Sequence, residues 1–175
     1  MLSTIQRGDD AAGAIFSACM QYRYVLWRRW REGNRGRPLF IMLNPSTADE
    51  RRDDPTIRRC CGYAKRWDYD GLAVCNLYAL RATDPRRLTK VTDSIGPDND
   101  HVLSGWCHSA PLIVCAWGVR GEPYGARMVP QLLTWGGGKP LHALGQTRLG
   151  SPRHPLYLRG DLMPVVWINP DGSMQ

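Results

Sequence analysis

The sequence predicts an α/β protein, a three-layer α/β/α sandwich with a central, mostly parallel sheet of four to five strands. Three apolar runs of strand length, at residues 39–43, 72–78 and 111–118, are rich in branched and aromatic side chains, as strands buried on both faces of a parallel sheet are. Helical patterns separate the runs, and a fourth short run follows at residues 141–145. This alternation is typical of a parallel-centred sheet with helices on both faces.

Length and composition indicate one globular domain spanning residues 1–175. A chain of 175 residues with 43% apolar and 22% charged residues can bury a sizeable core, which excludes a disordered protein. No run is long enough to cross a membrane, and the N-terminus lacks the layout of a signal peptide, so we expect a cytoplasmic protein. The net charge is +7 and comes mostly from arginine, which suits a polyanionic partner but also occurs in ordinary basic proteins.

Several classes of site are excluded by missing motifs. The six cysteines form no Cys-x-x-Cys pair and the four histidines lack metal-ligand spacing, so we expect reduced thiols and no metal. There is no glycine-rich phosphate loop and no nucleophile elbow, which argues against a nucleotide cofactor and a hydrolase triad. We therefore expect no cofactor, and no obligate protein partner is evident.

Residues 1–37 are expected to add a helix and an edge strand to a core at residues 38–160. Within this segment, residues 11–20 are predicted as a short helix and residues 22–30 as a strand. The turn-forming residues 32–37 make that strand a candidate hairpin partner of the run that begins at residue 38.

The helices have recognisable starts. Asp53-Asp54-Pro55 supplies an N-cap followed by proline at the first helical position, and apolar residues follow at helical spacing as far as Trp67. Further helices are predicted from residues 96–100 to about residue 107 and over residues 124–135, and a last short strand from residue 164.

One polar feature lies near the end of each predicted core strand, at the edge where open α/β sheets bind ligands. These features are Asn44-Pro45-Ser46, Asn76, Trp117-Gly118 and His154-Pro155. Taken singly, an Asn-Pro turn and a hydrogen-bonded buried asparagine are both commonly structural. Their arrangement along the chain is what suggests a site.

The order and spacing of these motifs over residues 38–160 resemble the uracil-DNA glycosylase superfamily. The whole sequence, through "MLNPSTAD", "DDPTIRRC", "NLYALRATDP" and "PRHPLYL", is similar to the bacterial and phage domain-of-unknown-function family 1643. The resemblance implies a uracil-DNA glycosylase-like fold, DNA as the partner, and hydrolysis of the N-glycosidic bond of uracil or a modified pyrimidine.

The resemblance also implies roles for individual residues. Asn44 and His154 would be catalytic, Asn44 by positioning the attacking water and His154 by donating to the carbonyl oxygen of the departing base. Asn76 would recognise the Watson–Crick edge of a flipped pyrimidine. The further substrate-binding residues would be Pro45, Ser46, Trp117 and Gly118, with Trp67, Tyr78 or Tyr63 stacking on the base and Leu156, Tyr157 or Leu158 filling the gap it leaves. The phosphate contacts would come from Arg81, Arg86, Arg87, Arg148, Arg153 and Arg159.

Two positions depart from the superfamily pattern. Met42 stands where the superfamily usually has a glycine and would crowd the pocket, and Leu156 stands where it usually has a phosphate-binding serine. These departures are compatible with an altered base specificity or with a fold that has lost the chemistry. The alternatives are a non-catalytic nucleic-acid or nucleotide-binding module of the same fold, and a hydrolase of small nucleosides or nucleotides that uses Asp49, Asp53 or Asp54.

Overall fold

The computed structural model describes residues 4–175, which form one mixed eight-stranded sheet with three α-helices. The strands are β1 Thr4–Gly8, β2 Ala12–Ser17, β3 Arg23–Arg29, β4 Leu39–Met42, β5 Gly71–Asn76, β6 Ile113–Cys115, β7 Leu141–Ala143 and β8 Val165–Ile168. The helices are α1 Pro55–Arg66, α2 Asn99–Ser109 and α3 Tyr124–Trp135. Short 3₁₀ helices lie at Pro85–Thr89, Val119–Gly121 and Pro155–Tyr157.

The sheet has the strand order β1-β2-β3-β5-β4-β6-β7-β8. All four predicted core runs form strands, and these four, β5, β4, β6 and β7, pair in parallel. The predicted total of four to five strands was too low, and the sheet is mixed where a mostly parallel one was predicted. The sheet continues in antiparallel pairing through β3, β2 and β1 at one side and through β8 at the other.

Three predictions for the N-terminal segment were wrong. The strand expected at the edge of the sheet is β3, which lies inside the sheet between β2 and β5. The helix expected at residues 11–20 is strand β2, which pairs with β1 on one side and β3 on the other. A Cβ at Gly13 would clash with the ring of Trp27 on β3, so glycine is needed at this position. Long-range strand pairing thus overrides the helix propensity of the neighbouring alanines. The hairpin expected between residues 22–30 and 38–43 does not form, because β3 pairs with β5 and β4 is paired in parallel on both edges.

The two faces of the sheet pack against different helices. Ile57 and Cys60 of α1 form a buried cluster with alternate strand residues such as Phe40. Leu103 of α2 belongs to a second cluster, together with residues of α3 and the intervening strand positions such as Ile41. This follows from the period of two along a strand, which turns successive side chains to opposite faces.

The sequence-predicted start of α1 is confirmed. Asp54 is the N-cap, and its Oδ1 accepts a hydrogen bond from the Ile57 N–H at 2.9 Å, with Pro55 at the first helical position. The cap satisfies one of the free N–H groups at the helix start. It also fixes the beginning of α1 beside the carboxyl ends of the parallel strands.

An irregularity in β3 determines where Arg23 lies. Ile15 of β2 pairs with Val25, but the next residue, Phe16, pairs with Arg23, so Tyr24 is one extra residue on β3. Such a β-bulge reverses the alternation of side chains beyond it. Arg23 therefore shares the α1 face with Phe16, instead of the opposite face with Val25.

No helix among residues 4–175 has the length and apolar character needed to cross a membrane.

Candidate functional site

A cavity with a volume of about 430 Å³ lies at the carboxyl ends of β4, β5 and β6, within the size range of small-molecule sites. Parallel strands end at the same edge of a sheet, so polar residues that follow different strands meet there. The structure brings eight of the predicted site residues to this cavity: Asn44, Ser46, Asn76, Trp117, Gly118, Arg153, His154 and Tyr157.

Asn44 lines the cavity and has an unused hydrogen-bond acceptor. Its Nδ2 donates to the carbonyl oxygens of Pro45 at 3.0 Å and Ala82 at 2.7 Å. Two acceptors at one end of the amide fix its orientation, because an oxygen there would be repelled. No residue in the range 4–175 donates to Oδ1 of Asn44, which is therefore free to accept from a water or ligand.

His154 presents a hydrogen-bond donor. It is the N-cap of the 3₁₀ helix Pro155–Tyr157, and its Nδ1 accepts from the Leu156 N–H at 3.3 Å. Burial lowers the pKa of His154 below its ordinary value, against the opposing effect of the Asp54 carboxylate. A neutral imidazole that accepts at Nδ1 carries its proton on Nε2, so the Nε2–H is left to donate.

Asn76 is a buried amide with unused hydrogen-bonding capacity. It is the last residue of β5, is 2% exposed, and its buried Oδ1 has no partner in the part of the chain that the structure describes. The Asn76 backbone carbonyl, by contrast, accepts from Nδ2 of Asn99 at 3.0 Å. An unpaired buried acceptor costs about 1–3 kcal/mol, and a ligand with an N–H or O–H group would remove that cost.

Trp117 and Gly118 join the end of β6 to the segment that carries His154. The buried Trp117 ring donates through Nε1 to Oε1 of Glu122 at 2.9 Å. Gly118 has φ 71° and ψ 179°, a conformation that is essentially restricted to glycine. Its N–H donates to the Pro152 carbonyl at 2.9 Å, which places the residues before His154 beside the end of β6.

The prediction from the sequence did not include Arg23, which also lines the cavity. Arg23 is 2% exposed, and its Nη1 donates to the Ala48 carbonyl at 2.8 Å. Burial lowers the pKa of Arg23 to about 10. No sequence signal marked this residue, because its orientation depends on the bulge at Tyr24. Other lining residues without a predicted place in the pocket include Thr83, Arg120 and Thr147.

Asp54, considered from the sequence as a helix cap and as an alternative catalytic residue, lines the cavity as well. Asp49 and Asp53 do not line it. Oδ1 of Asp49 accepts from the backbone N–H groups of Arg51 and Arg52, and Asp53 forms an ion pair with Arg28 at 2.8 Å.

The aromatic residues expected to stack on a base lie away from the cavity. Trp67 and Tyr63 are buried in the α1 cluster, where the Trp67 ring stacks on Phe40 and on Tyr63 at centroid distances of 5.8 and 5.6 Å. Tyr78 packs on Tyr124, 5.1 Å away, and contacts the opposite cluster. The apolar spacing that predicts α1 also explains why its aromatic residues face the core.

The residues around the His-Pro motif are divided between surface and core. Tyr157 lines the cavity and is 79% exposed. Leu156 is half-buried outside the cavity lining, and Leu158 belongs to the α1 cluster. Pro45 is buried and does not line the cavity either.

The six predicted phosphate-binding arginines differ in their availability. Arg153 lines the cavity, and Arg87 and Arg148 are exposed and form no ion pair within residues 4–175. Arg86 and Arg159 are exposed but form ion pairs with neighbouring carboxylates, Asp84 at 2.8 Å and Asp161 at 2.6 Å. Arg81 is half-buried against the ring of Phe16, 5.2 Å from its centroid.

Met42 lines the cavity without closing it. The side chain is buried, yet the cavity beside it retains its volume of about 430 Å³. Residues 4–175 contain no group of three or more His, Cys, Asp or Glu side chains that could hold a metal ion, and the six cysteines are all free.

Comparison with known proteins gives one family. No curated protein and no solved structure matches the chain. The family model described as "Protein of unknown function (DUF1643)" matches residues 23–156, which is most of the chain and includes every cavity-lining residue except Tyr157. The chain therefore belongs to the DUF1643 family.

Proposed function

We propose that this protein is a DNA glycosylase that hydrolyses the N-glycosidic bond of uracil or a modified pyrimidine. The observation that carries the proposal is the meeting of Asn44, Asn76 and His154 at one cavity, although the three lie far apart in sequence. Each has hydrogen-bonding capacity that residues 4–175 do not use. We propose further that the fold is a three-layer, glycosylase-like one, which the helices on both faces of the sheet support.

The proposed chemistry is electrostatic stabilisation of a separating ion pair. As the bond between C1′ and the base nitrogen breaks, its electron pair leaves with the base and positive charge builds on the sugar. His154 donates its Nε2–H to the base carbonyl where negative charge develops. Because the imidazole is neutral, it stabilises this charge as a hydrogen-bond donor and keeps its proton.

Asn44 has an orienting role in this proposal. Its Oδ1 accepts a hydrogen bond from the water whose oxygen bonds to C1′, and that water's proton passes to solvent. An amide is not a base at neutral pH, so its contribution is to hold the water in line. The bonds from Nδ2 to Pro45 and Ala82 keep the amide fixed while it does so.

Base recognition is assigned to Asn76. Its amide carries both a donor and an acceptor, which matches the O4 and N3–H of a uracil-type edge. Met42 and Trp117 provide apolar walls for the base. Arg153 at the cavity, together with Arg87 and Arg148, would contact the phosphates of the strand that carries the base.

The test is a base-release assay read by mass spectrometry. The full chain is incubated with single-stranded and duplex DNA that contains uracil, 5-hydroxymethyluracil or phage-type modified pyrimidines. We expect release of one of these bases, reduced by about 100-fold or more in His154→Ala. The matched control is His108→Ala, an exposed position on α2 away from the cavity, which should release base at the wild-type rate.

Two outcomes would contradict the proposal. The first is no release of base from any substrate, and the second is release that His154→Ala leaves unchanged. Salt-sensitive DNA binding without release would identify a non-catalytic binding module instead.

A hydrolase of small nucleosides or nucleotides is a second candidate, favoured by the Asp54 carboxylate at the cavity. Two of the predicted phosphate-binding arginines, Arg86 and Arg159, also form ion pairs with carboxylates, which leaves fewer free arginines to contact DNA. Incubation with free nucleosides and nucleotides distinguishes this candidate, because it predicts product formation without any affinity for DNA.

A further inference from the structure

We propose that the substrate of this cavity carries an anionic group, a carboxylate or a phosphate, that pairs with the guanidinium of Arg23. The inference rests on the proposed function because it takes the same cavity as the substrate site, and it adds the chemical class of the substrate. It excludes a neutral free base or nucleoside, such as uracil or deoxyuridine, as the preferred ligand.

Arg23 lacks the partners that a buried guanidinium requires. The side chain is fully buried, and its one hydrogen bond within residues 4–175 runs from Nη1 to the Ala48 carbonyl at 2.8 Å. Its Nε is buried without a partner, and no carboxylate of the described residues lies within 4.0 Å. A guanidinium has five N–H donors, and buried charges in proteins are normally paired. A ligand anion would supply that pairing.

The backbone directs this charge into the cavity. The bulge at Tyr24 turns Arg23 to the α1 face, where it lines the cavity together with Asn76 and Asp54. A bulge next to a binding site commonly serves to re-aim a side chain. With regular alternation, Arg23 would share the opposite face with Val25 and could not reach the cavity.

The surrounding charges leave Arg23 without a counter-ion. Asp54 is the carboxylate whose field supports the charged form of Arg23, whereas the positive charges of Arg81 and Arg28 oppose it. Oδ1 of Asp54 is engaged in the hydrogen bond from the Ile57 N–H at 2.9 Å. Arg28 is paired with Asp53, but Arg81 has no carboxylate partner within residues 4–175. The lining itself contains three arginines, Arg23, Arg120 and Arg153, and one carboxylate, Asp54, so it has an excess of positive charge.

Asn76 in the cavity lining sets a second requirement for the ligand. The unpaired Oδ1 of Asn76 calls for an N–H or O–H donor on the same ligand. A pyrimidine with a ring N–H and an acidic substituent meets both requirements, and so does a pyrimidine nucleotide with its phosphate. The planar fork of arginine binds either anion in a bidentate manner.

Isothermal titration calorimetry of the full chain with two matched ligand pairs tests the proposal. The first pair is uracil and 5-carboxyuracil, and the second is deoxyuridine and deoxyuridine 5′-monophosphate. We expect the anionic member of one pair to bind about tenfold tighter or more. The pair that shows the preference identifies the base substituent or the phosphate as the source of the anion.

Substitution of Arg23 then assigns the preference. Arg23→Met should abolish it while the neutral ligands bind as before, and Arg127→Met, an exposed position on α3, should retain it. Arg23→Gln removes the charge but keeps a donor for the Ala48 carbonyl, and serves if the methionine variant does not fold. Equal binding within both wild-type pairs, or a preference that survives removal of Arg23, would overturn the proposal.

The test separates this inference from the glycosylase proposal. A preference for anions without base release would leave the inference standing and refute the glycosylase. Base release from unmodified uracil in DNA, with no preference for anions, would refute the inference alone.

Discussion

Asn76→Leu should make the protein more stable and remove its ligand recognition. The side chain is buried at the end of β5, and its Oδ1 has no partner within residues 4–175. Leucine keeps a similar branched shape and has no polar atom to leave unpaired. Met42, Val74 and Ile57 line the same cavity, so the new side chain would lie among apolar neighbours.

The expected gain follows from the desolvation cost of the unpaired oxygen, about 1–3 kcal/mol. For a domain of this size each kcal/mol raises the unfolding midpoint by about 2–4 °C. Binding of the proposed pyrimidine ligand should weaken, because leucine can neither donate a hydrogen bond to the pyrimidine edge nor accept one from it. A residue that costs stability and is needed for recognition is typical of a functional site.

Asn99→Leu is the matched control, with the opposite expected sign. Asn99 is also buried with an unpaired Oδ1, but its Nδ2 donates to the carbonyls of Asn76 and Leu77 at 3.0 and 3.2 Å. Removing it leaves two carbonyls without this donor and removes one unpaired oxygen, so the free energy of unfolding should fall by about 1–3 kcal/mol. Both variants would be compared by urea and thermal unfolding. A lower midpoint for Asn76→Leu would refute the reasoning, since it would show that the amide supports the fold.

Two further predictions concern the segment that joins β6 to His154. Gly118→Ala should lower the free energy of unfolding by about 1–3 kcal/mol, because φ 71° with ψ 179° strains any residue with a Cβ. Urea unfolding measures this change, and Gly62→Ala in α1 is the control, because a Cβ there meets no other atom within 4 Å. Wild-type stability of Gly118→Ala would contradict the prediction. Burial lowers the pKa of His154 in the folded state below its ordinary value of 6.5, so the unfolded chain binds the proton more readily and stability should fall as the pH drops below that value. Urea unfolding at about pH 7.5 and about pH 5 measures this loss of stability. The loss should be smaller in His154→Gln than in the wild type. His142 also has a lowered pKa but is present in both proteins, so an equal loss in the two would refute the assignment to His154.

The centre of the fold could be predicted because its signals are local. The runs that form β4, β5 and β6 are continuously apolar, and the Asp54 cap is a short-range motif. Parallel strands that share an edge then bring Asn44, Asn76 and Gly118 together without any further information.

The rest depends on long-range contacts that a single sequence does not reveal. Ala12 and Ala14 of β2 favour a helix by intrinsic propensity, but the strand is set by pairing with its neighbours, where Gly13 lies against Trp27 of β3. The aromatic Trp67 resembled a stacking residue, but its spacing with Ile57 and Cys60 already placed it on the buried face of α1. A stacking role was predicted for Trp67, but the side chain packs in the core.

The bulge in β3 also has an evolutionary consequence. Length changes in homologous proteins usually concern loops, where they are tolerated. Loss of the extra residue at Tyr24 would instead restore regular alternation and turn Arg23 from the cavity to the face that α2 and α3 cover. A deletion of one residue in this strand would therefore remove the Arg23 charge from the cavity as completely as a substitution of Arg23. Relatives that keep the arginine but lack the extra residue are expected to bind a neutral ligand.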